Sequence, residues 1–182
     1  FQKNIRNVVL WLEDMTIDSE YIGRLRGLGM NVVFFDICLQ SPYADCVDLD
    51  NHHAIETLYT FLKAKGYEEI GYIGWDNYSL SSVRERENTY SELVSRKSRI
   101  RTISWQCKEN LIENAGKLVL EELKNHKPPE AVICSDGEIG IAVKKALRSQ
   151  GMDNIAVASV DDFPESRELG LSVYAQSFEL LA

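Results

Sequence analysis

Long apolar runs are missing from this sequence: none approaches the roughly 18 residues that a membrane-spanning helix needs. The opening Phe1-Gln2-Lys3-Asn4 shows none of the three parts of a secretory signal. Cysteine is sparse. Cys38, Cys46, Cys107 and Cys134 lie far apart, with no C-x-x-C pair and no histidine at ligand spacing, which argues against zinc and suits thiols in a reducing cytoplasm. Cys134, inside an apolar run, reads as a small buried hydrophobe. Histidine is scarce too: His52 and His53 are adjacent and so cannot face one site from a helix, and His126 sits in a lysine-flanked turn.

Positive charge is in deficit, with 20 Lys and Arg against 28 Asp and Glu, a net charge of -8. Gripping a phosphate backbone needs a clustered positive face, so nucleic-acid contact is not expected of this segment. The patterns G-x-S-x-G, H-E-x-x-H, G-x-x-x-x-G-K-[ST] and G-x-G-x-x-G are all absent, which removes the common signatures of hydrolases, zinc proteases and nucleotide-binding loops. Asn77-Tyr78-Ser79 matches a glycosylation sequon, which has meaning only for a secreted chain. No cofactor or metal is expected.

What is present is alternation. The 182 residues are 45% hydrophobic, enough for a sizeable core. Short β-branched or aromatic runs alternate with longer amphipathic segments, the pattern of βαβ units on a parallel sheet and therefore of an α/β fold. Strands are expected at 7–12, 31–36, 46–50, 69–75, 100–105, 131–135, 155–160 and 171–176, and helices at 19–28, 51–65, 81–95, 111–125 and 137–150. Asp18 or Ser19 caps the first helix and Gly29 stops it. Ala54, Ile55, Leu58, Phe61 and Leu62 make one apolar stripe, closed by Gly66. The loop 38–45 breaks the rhythm, placing a lobe junction near Gly66–Glu68, and the segment Phe163–Gly170 reads as irregular.

In open parallel sheets ligands collect outside the carboxyl ends of the strands. Those ends are polar throughout: Asp36; Trp75 and Asp76; Ser135 and Asp136; Asp161 and Asp162. Helix capping and turn formation account equally well for Asp136, and better for Asp76-Asn77. The doubled acid of "IAVASVDDF" is harder to explain so, since one carboxylate is enough for a cap. In "SLSSVRERENTYSEL" two arginines, Arg84 and Arg86, sit in the first turn of a helix, where its dipole disfavours cations. Either Glu85 and Glu87 offset them on a solvated face, or one arginine reaches over the strand ends to carboxylates and a polyhydroxylated ligand.

The ordered segments "VVFFD", "VDLDN", "GYEEIGYIG", "SSVRERENTY", "AVICSDGEIGIAVKKALRSQGM", "IAVASVDDF" and "LSVYAQSF" together resemble the effector-binding domain of LacI/GalR-type transcriptional regulators, over roughly Asn7 to Phe178. The resemblance implies a periplasmic-binding-protein-like fold of two parallel-sheet lobes with helices on both faces. It divides the chain into an incomplete first lobe (1–66), a second lobe (67–174) and the start of a return crossover (175–182), and places the DNA-binding headpiece outside the chain. It further implies a cytoplasmic homodimer that binds a sugar-like effector between the lobes and changes DNA affinity by lobe closure.

Position by position, the resemblance carries ligand contact to Arg86, to Ser135 and Asp136, to Asp161, to Gln176, and to Asp50 or Asn51. Trp75 is a candidate platform for the apolar face of a sugar, with Trp105 second, although buried packing explains either ring. Ser135, Thr89 and Ser159-Val160 depart from the family's usual residues, which leaves the effector's identity open. Two other readings stay open: a solute-binding protein of the same fold for sugar transport or chemoreception, and a hydrolase or phosphotransferase holding magnesium with Asp136, Asp161 and Asp162.

Overall fold

A computed structural model describes residues 5–12, 17–36, 41–94 and 100–176. They fall into two compact units, the first holding the described residues up to Asp50 together with Ser79–Ser82, the second Asn51–Tyr78 and Val83–Gln176.

In the first unit, β1 (Asn7–Trp11), β2 (Asn31–Phe35) and β3 (Asp45–Val47) form a parallel sheet in that order. Helix α1 (Ser19–Gly27) is capped by Asp18, whose Oδ1 accepts from the Glu20 amide at 2.8 Å. Its Ile22 packs on Val32 and Phe34 to make a small core, with Leu10 and Leu25 at its margin.

The second unit is larger. Helix α2 (Asn51–Ala64) leads to β4 (Ile70–Trp75), α3 (Ser81–Leu93) and β5 (Ile100–Ile103). A 3-10 helix (Trp105–Asn110), α4 (Leu111–Asn125), β6 (Ala131–Cys134), α5 (Gly137–Ser149), β7 (Ala156–Val160), α6 (Pro164–Leu169) and β8 (Ser172–Tyr174) follow. All five strands run parallel in the order β5-β4-β6-β7-β8. The register places Tyr72, Ile133 and Ala158 on one face and Ile73, Cys134 and Ser159 on the other.

Tyr90 of α3 stacks on Tyr72, with ring centroids 5.0 Å apart, and its hydroxyl donates to the Ile70 carbonyl at 2.8 Å. On the opposite face α5 approaches so closely that a Cβ added at Gly140 would lie 2.8 Å from the Ser159 Cβ. Both faces of the sheet are therefore covered, as a parallel sheet requires.

Several expectations need correction. The segment after Asp162 is not irregular: Pro164 occupies the first turn of α6 and Gly170, at φ 72°, closes it. Proline is favoured where the helix has no amide bond to lose, and a left-handed glycine ends it. The strand expected to reach Trp105 stops at Ile103, and a 3-10 helix takes over. Helix α2 packs against β6, β7 and β8 and groups with the second unit. The cysteines are not all thiols: Cys46 is disulfide-bonded, while Cys107 and the buried Cys134 are free. Distance along the sequence sets no lower bound on distance in the fold. Cys38 lies outside the described residues. Among those described, no helix is long and apolar enough to cross a membrane.

Candidate functional site

At the carboxyl edge of the second sheet, β4, β6 and β7 end side by side, at Trp75, Cys134 and Val160. Ser135, Asp136 and Asp161 follow directly, so parallel pairing alone brings these predicted residues to one rim.

Arg86 reaches this rim from α3. It is only 7% exposed. Its Nε donates to the Asn51 Oδ1 at 2.7 Å and its Nη1 to the Ser135 carbonyl at 2.7 Å. Asn51, at the first position of α2 and 1% exposed, passes the chain on by donating from Nδ2 to Glu85 Oε2 at 3.2 Å. Of the two accounts of the arginine pair, the buried one therefore applies to Arg86, with a carboxamide and a carbonyl as its partners in place of the carboxylates expected. Arg84 stays outside and donates to the Tyr78 carbonyl at 3.1 Å. Glu87 accepts from the Tyr78 hydroxyl at 2.9 Å, and that contact, behind burial, helps push the Tyr78 phenol up to about 12.

Asp136 does two jobs. One oxygen caps α5, accepting from the Ile139 amide at 2.9 Å; the other accepts from the Trp75 indole N–H and from the Ser135 hydroxyl, the latter at 3.2 Å. Loss of water raises its pKa above the usual carboxylate value. The Ile139 amide and the Arg86 charge act against that rise, and Asp161 adds to it.

Asp161 stands at φ 71°, a conformation uncommon outside glycine but more open to Asp than to most residues. Its amide donates to the Tyr174 carbonyl at 3.0 Å, and its carboxylate accepts from Gln176 Nε2. Asp162 turns to a different partner, with its Oδ2 2.6 Å from Arg167 Nη2. The two adjacent acids thus serve different contacts.

Arg86, Asn51, Ser135, Asp136 and Trp75 form one connected network, and Asp161 with Gln176 stands beside it. Asp50 is exposed and belongs to the first unit. Trp75 is 4% exposed and meets Trp105 edge-on, with centroids 5.0 Å apart at 78°. Its faces are largely covered. Trp105 is the more accessible ring, with the Lys108 ammonium 4.9 Å from its centroid. Sequence reasoning did not identify the bond between Trp75 and Asp136, nor Asn51 as the partner of Arg86. Both join residues distant in sequence: strand order brings Trp75 beside Asp136, while the Arg86–Asn51 bond depends on where α2 and α3 meet.

The periplasmic binding protein-like domain family matches residues 59–182. In the search of curated proteins, none matches in sequence. Among solved structures, the chain is similar to a putative ribose operon repressor from Burkholderia thailandensis, at 20% identity and a TM-score of 0.74, covering 98% of this chain and 67% of that one. It is similar to the transcriptional regulator CelR in complex with cellobiose, at 18% identity and a TM-score of 0.76, covering 99% and 57%. It is also similar to the Lac repressor dimer bound to operator and an anti-inducer, at 18% identity and a TM-score of 0.69, covering 97% and 53%. These likenesses establish the fold. The chain spans between about half and two thirds of their length.

Proposed function

The chain belongs to the periplasmic binding protein-like domain family, and on that footing we propose that it is the ligand-sensing part of a LacI/GalR-type transcriptional regulator. The observation that carries the reading is the convergence, at one sheet edge, of the Arg86–Ser135–Asp136–Trp75 network with Asp161. It supplies acceptors and a fixed cation where a parallel sheet offers its ligand site. Two of the similar structures, a regulator in complex with cellobiose and an operator-bound repressor, support a sugar-like effector and DNA as partners of the whole protein.

The proposed action is closure. Asp161 accepts from vicinal hydroxyl groups of the effector, Gln176 and Asp50 add polar contacts, and the two lobes close on it. Closure follows the effector only in proportion to its difference in affinity for the open and closed forms. A homodimer transmits that change to a DNA-binding part beyond this chain. No bond is made or broken. The cytoplasmic assignment rests on this role alone, because Cys46 is paired and the cysteines no longer argue for it.

The test uses the intact gene product and DNA from upstream of its own gene, with retention on a gel measured as single sugars are added. At least one sugar is expected to change the apparent DNA affinity tenfold or more. A protein that bound sugar and ignored DNA would overturn the regulator reading in favour of solute binding.

A further inference from the structure

Arg86 is the cation of the site network, and its use to an effector depends on where its guanidinium points. An arginine stem is long and flexible, so its donors must either be held at the site in advance or be ordered during binding, at a cost in affinity. Two bonds hold them here. Nε donates to the Asn51 Oδ1 and Nη1 to the Ser135 carbonyl, each at 2.7 Å, and together they fix the plane of the fork. Nη2 makes no hydrogen bond among the described residues, which leaves its donors for a bound molecule.

The two holding groups differ in kind. Ser135 offers a main-chain carbonyl, which any residue at that position would supply. Asn51 offers a side chain, and its chemistry is specific. A guanidinium only donates and a carboxylate only accepts, so a group standing between Arg86 and Glu85 has to accept on one side and donate on the other. A carboxamide does both: Oδ1 takes the Arg86 bond, and Nδ2 donates to Glu85 Oε2 at 3.2 Å. Asn51 is 1% exposed, with both ends of its carboxamide engaged, so it does not itself meet an effector. It is the first residue of α2, which packs on β6, β7 and β8. Ser135 and Asp161 directly follow β6 and β7, so Asn51 and the rim share one frame of packed elements.

We propose that Asn51 is a positioning residue for effector binding: it holds Arg86 so that Nη2 donates to the effector, and touches no effector atom. The inference rests on the effector reading above, and gives Asn51 a different role from the ligand contact that the resemblance implied.

Two measurements on the intact gene product test it. The first needs no effector. In nitrogen-proton correlation spectra, the Arg86 Nε–H is expected to exchange with water about tenfold or more slowly than that of exposed Arg84. Asn51→Leu should abolish that protection, and Asn51→Asp, which keeps an oxygen for Nε, should preserve it. The second is calorimetric titration with a panel of mono- and disaccharides that includes glucose, ribose and cellobiose. Asn51→Leu is expected to weaken the sugar that the parent binds by about tenfold, and Arg86→Ala by at least as much. Adding Asn51→Leu to Arg86→Ala is expected to change affinity by less than about twofold, since nothing is left to position. Backbone amide spectra check that each variant is folded. Fast exchange of the Arg86 Nε–H in the parent, or protection that survives in folded Asn51→Leu, overturns the proposal whether or not a sugar binds. Unchanged sugar affinity in Asn51→Leu, or a full additional loss on top of Arg86→Ala, overturns it while leaving the effector reading intact. A parent that binds no sugar contradicts the effector reading itself, and the positioning role falls with it.

Discussion

Arg86 and Asn51, 35 positions apart, are joined by a 2.7 Å hydrogen bond from Nε to Oδ1, and both side chains are buried. Removing the guanidinium takes one hydrogen bond from the Asn51 oxygen and one from the Ser135 carbonyl. A buried polar group without its partner costs on the order of 1–3 kcal/mol. Arg86→Ala is expected to lower unfolding stability by about 2 kcal/mol or more in urea denaturation. Arg86→Lys should recover little of it, since an ammonium cannot reproduce two donors in a planar fork.

Asp136 gives a pH signature. Its pKa is raised in the folded protein, first by burial, so the folded state holds its proton more tightly than the unfolded chain does. The stabilisation this provides is complete below the ordinary value of 3.8 and is lost as pH rises through the raised folded value. Asp136→Asn keeps a side-chain oxygen for the Ile139 amide and does not titrate. The stability of Asp136→Asn relative to the parent is therefore expected to increase as pH rises from about 4 and then level off. Paired melting curves across pH measure this difference, and a flat difference would remove the buried-carboxyl account.

Glycines in the helices should divide by what stands opposite. At Gly116 in α4 an added Cβ would meet only the Ala146 Cβ, at an ordinary 3.6 Å. Gly116→Ala is expected to stabilise by about 0.5–1 kcal/mol through helix propensity. At Gly140 in α5 the same atom would lie 2.8 Å from the Ser159 Cβ and 2.9 Å from Leu171. Gly140→Ala is expected to destabilise by about 1–3 kcal/mol through overpacking. Thermal unfolding of both variants reads the two opposite signs.

The Tyr72 hydroxyl is buried without a protein partner among the described residues, and burial pushes its pKa upward. Tyr72→Phe keeps the stack on Tyr90 and removes a desolvated polar group. It is expected to leave stability unchanged or raise it by up to about 1 kcal/mol, measured by urea denaturation.

Much of this fold is legible in the sequence because a parallel sheet enforces local signals. Strands such as Ile70–Trp75 are apolar on both faces, and α2 announces itself by its stripe and by Gly66. The miss at α6 is of another kind: six residues hold too few periodic positions to register, and the proline that starts the helix reads in isolation as a breaker. The rim residues Ser135, Asp136 and Asp161 were readable as strand ends. The link from Arg86 to Asn51 was not, because it depends on where α2 and α3 meet, and local pattern does not encode that.

Amide chemical shifts recorded while a panel of mono- and disaccharides is titrated onto the chain bear most directly on the effector site. Perturbations are expected to gather at Trp75–Asp76, Ser135–Ile139 and Asp161–Asp162, and the affinity to fall roughly thirtyfold, or about 2 kcal/mol, in Asp161→Asn, a substitution compatible with the positive φ. Shifts confined to other surfaces, no response to any sugar, or an unchanged affinity in that variant would contradict the account.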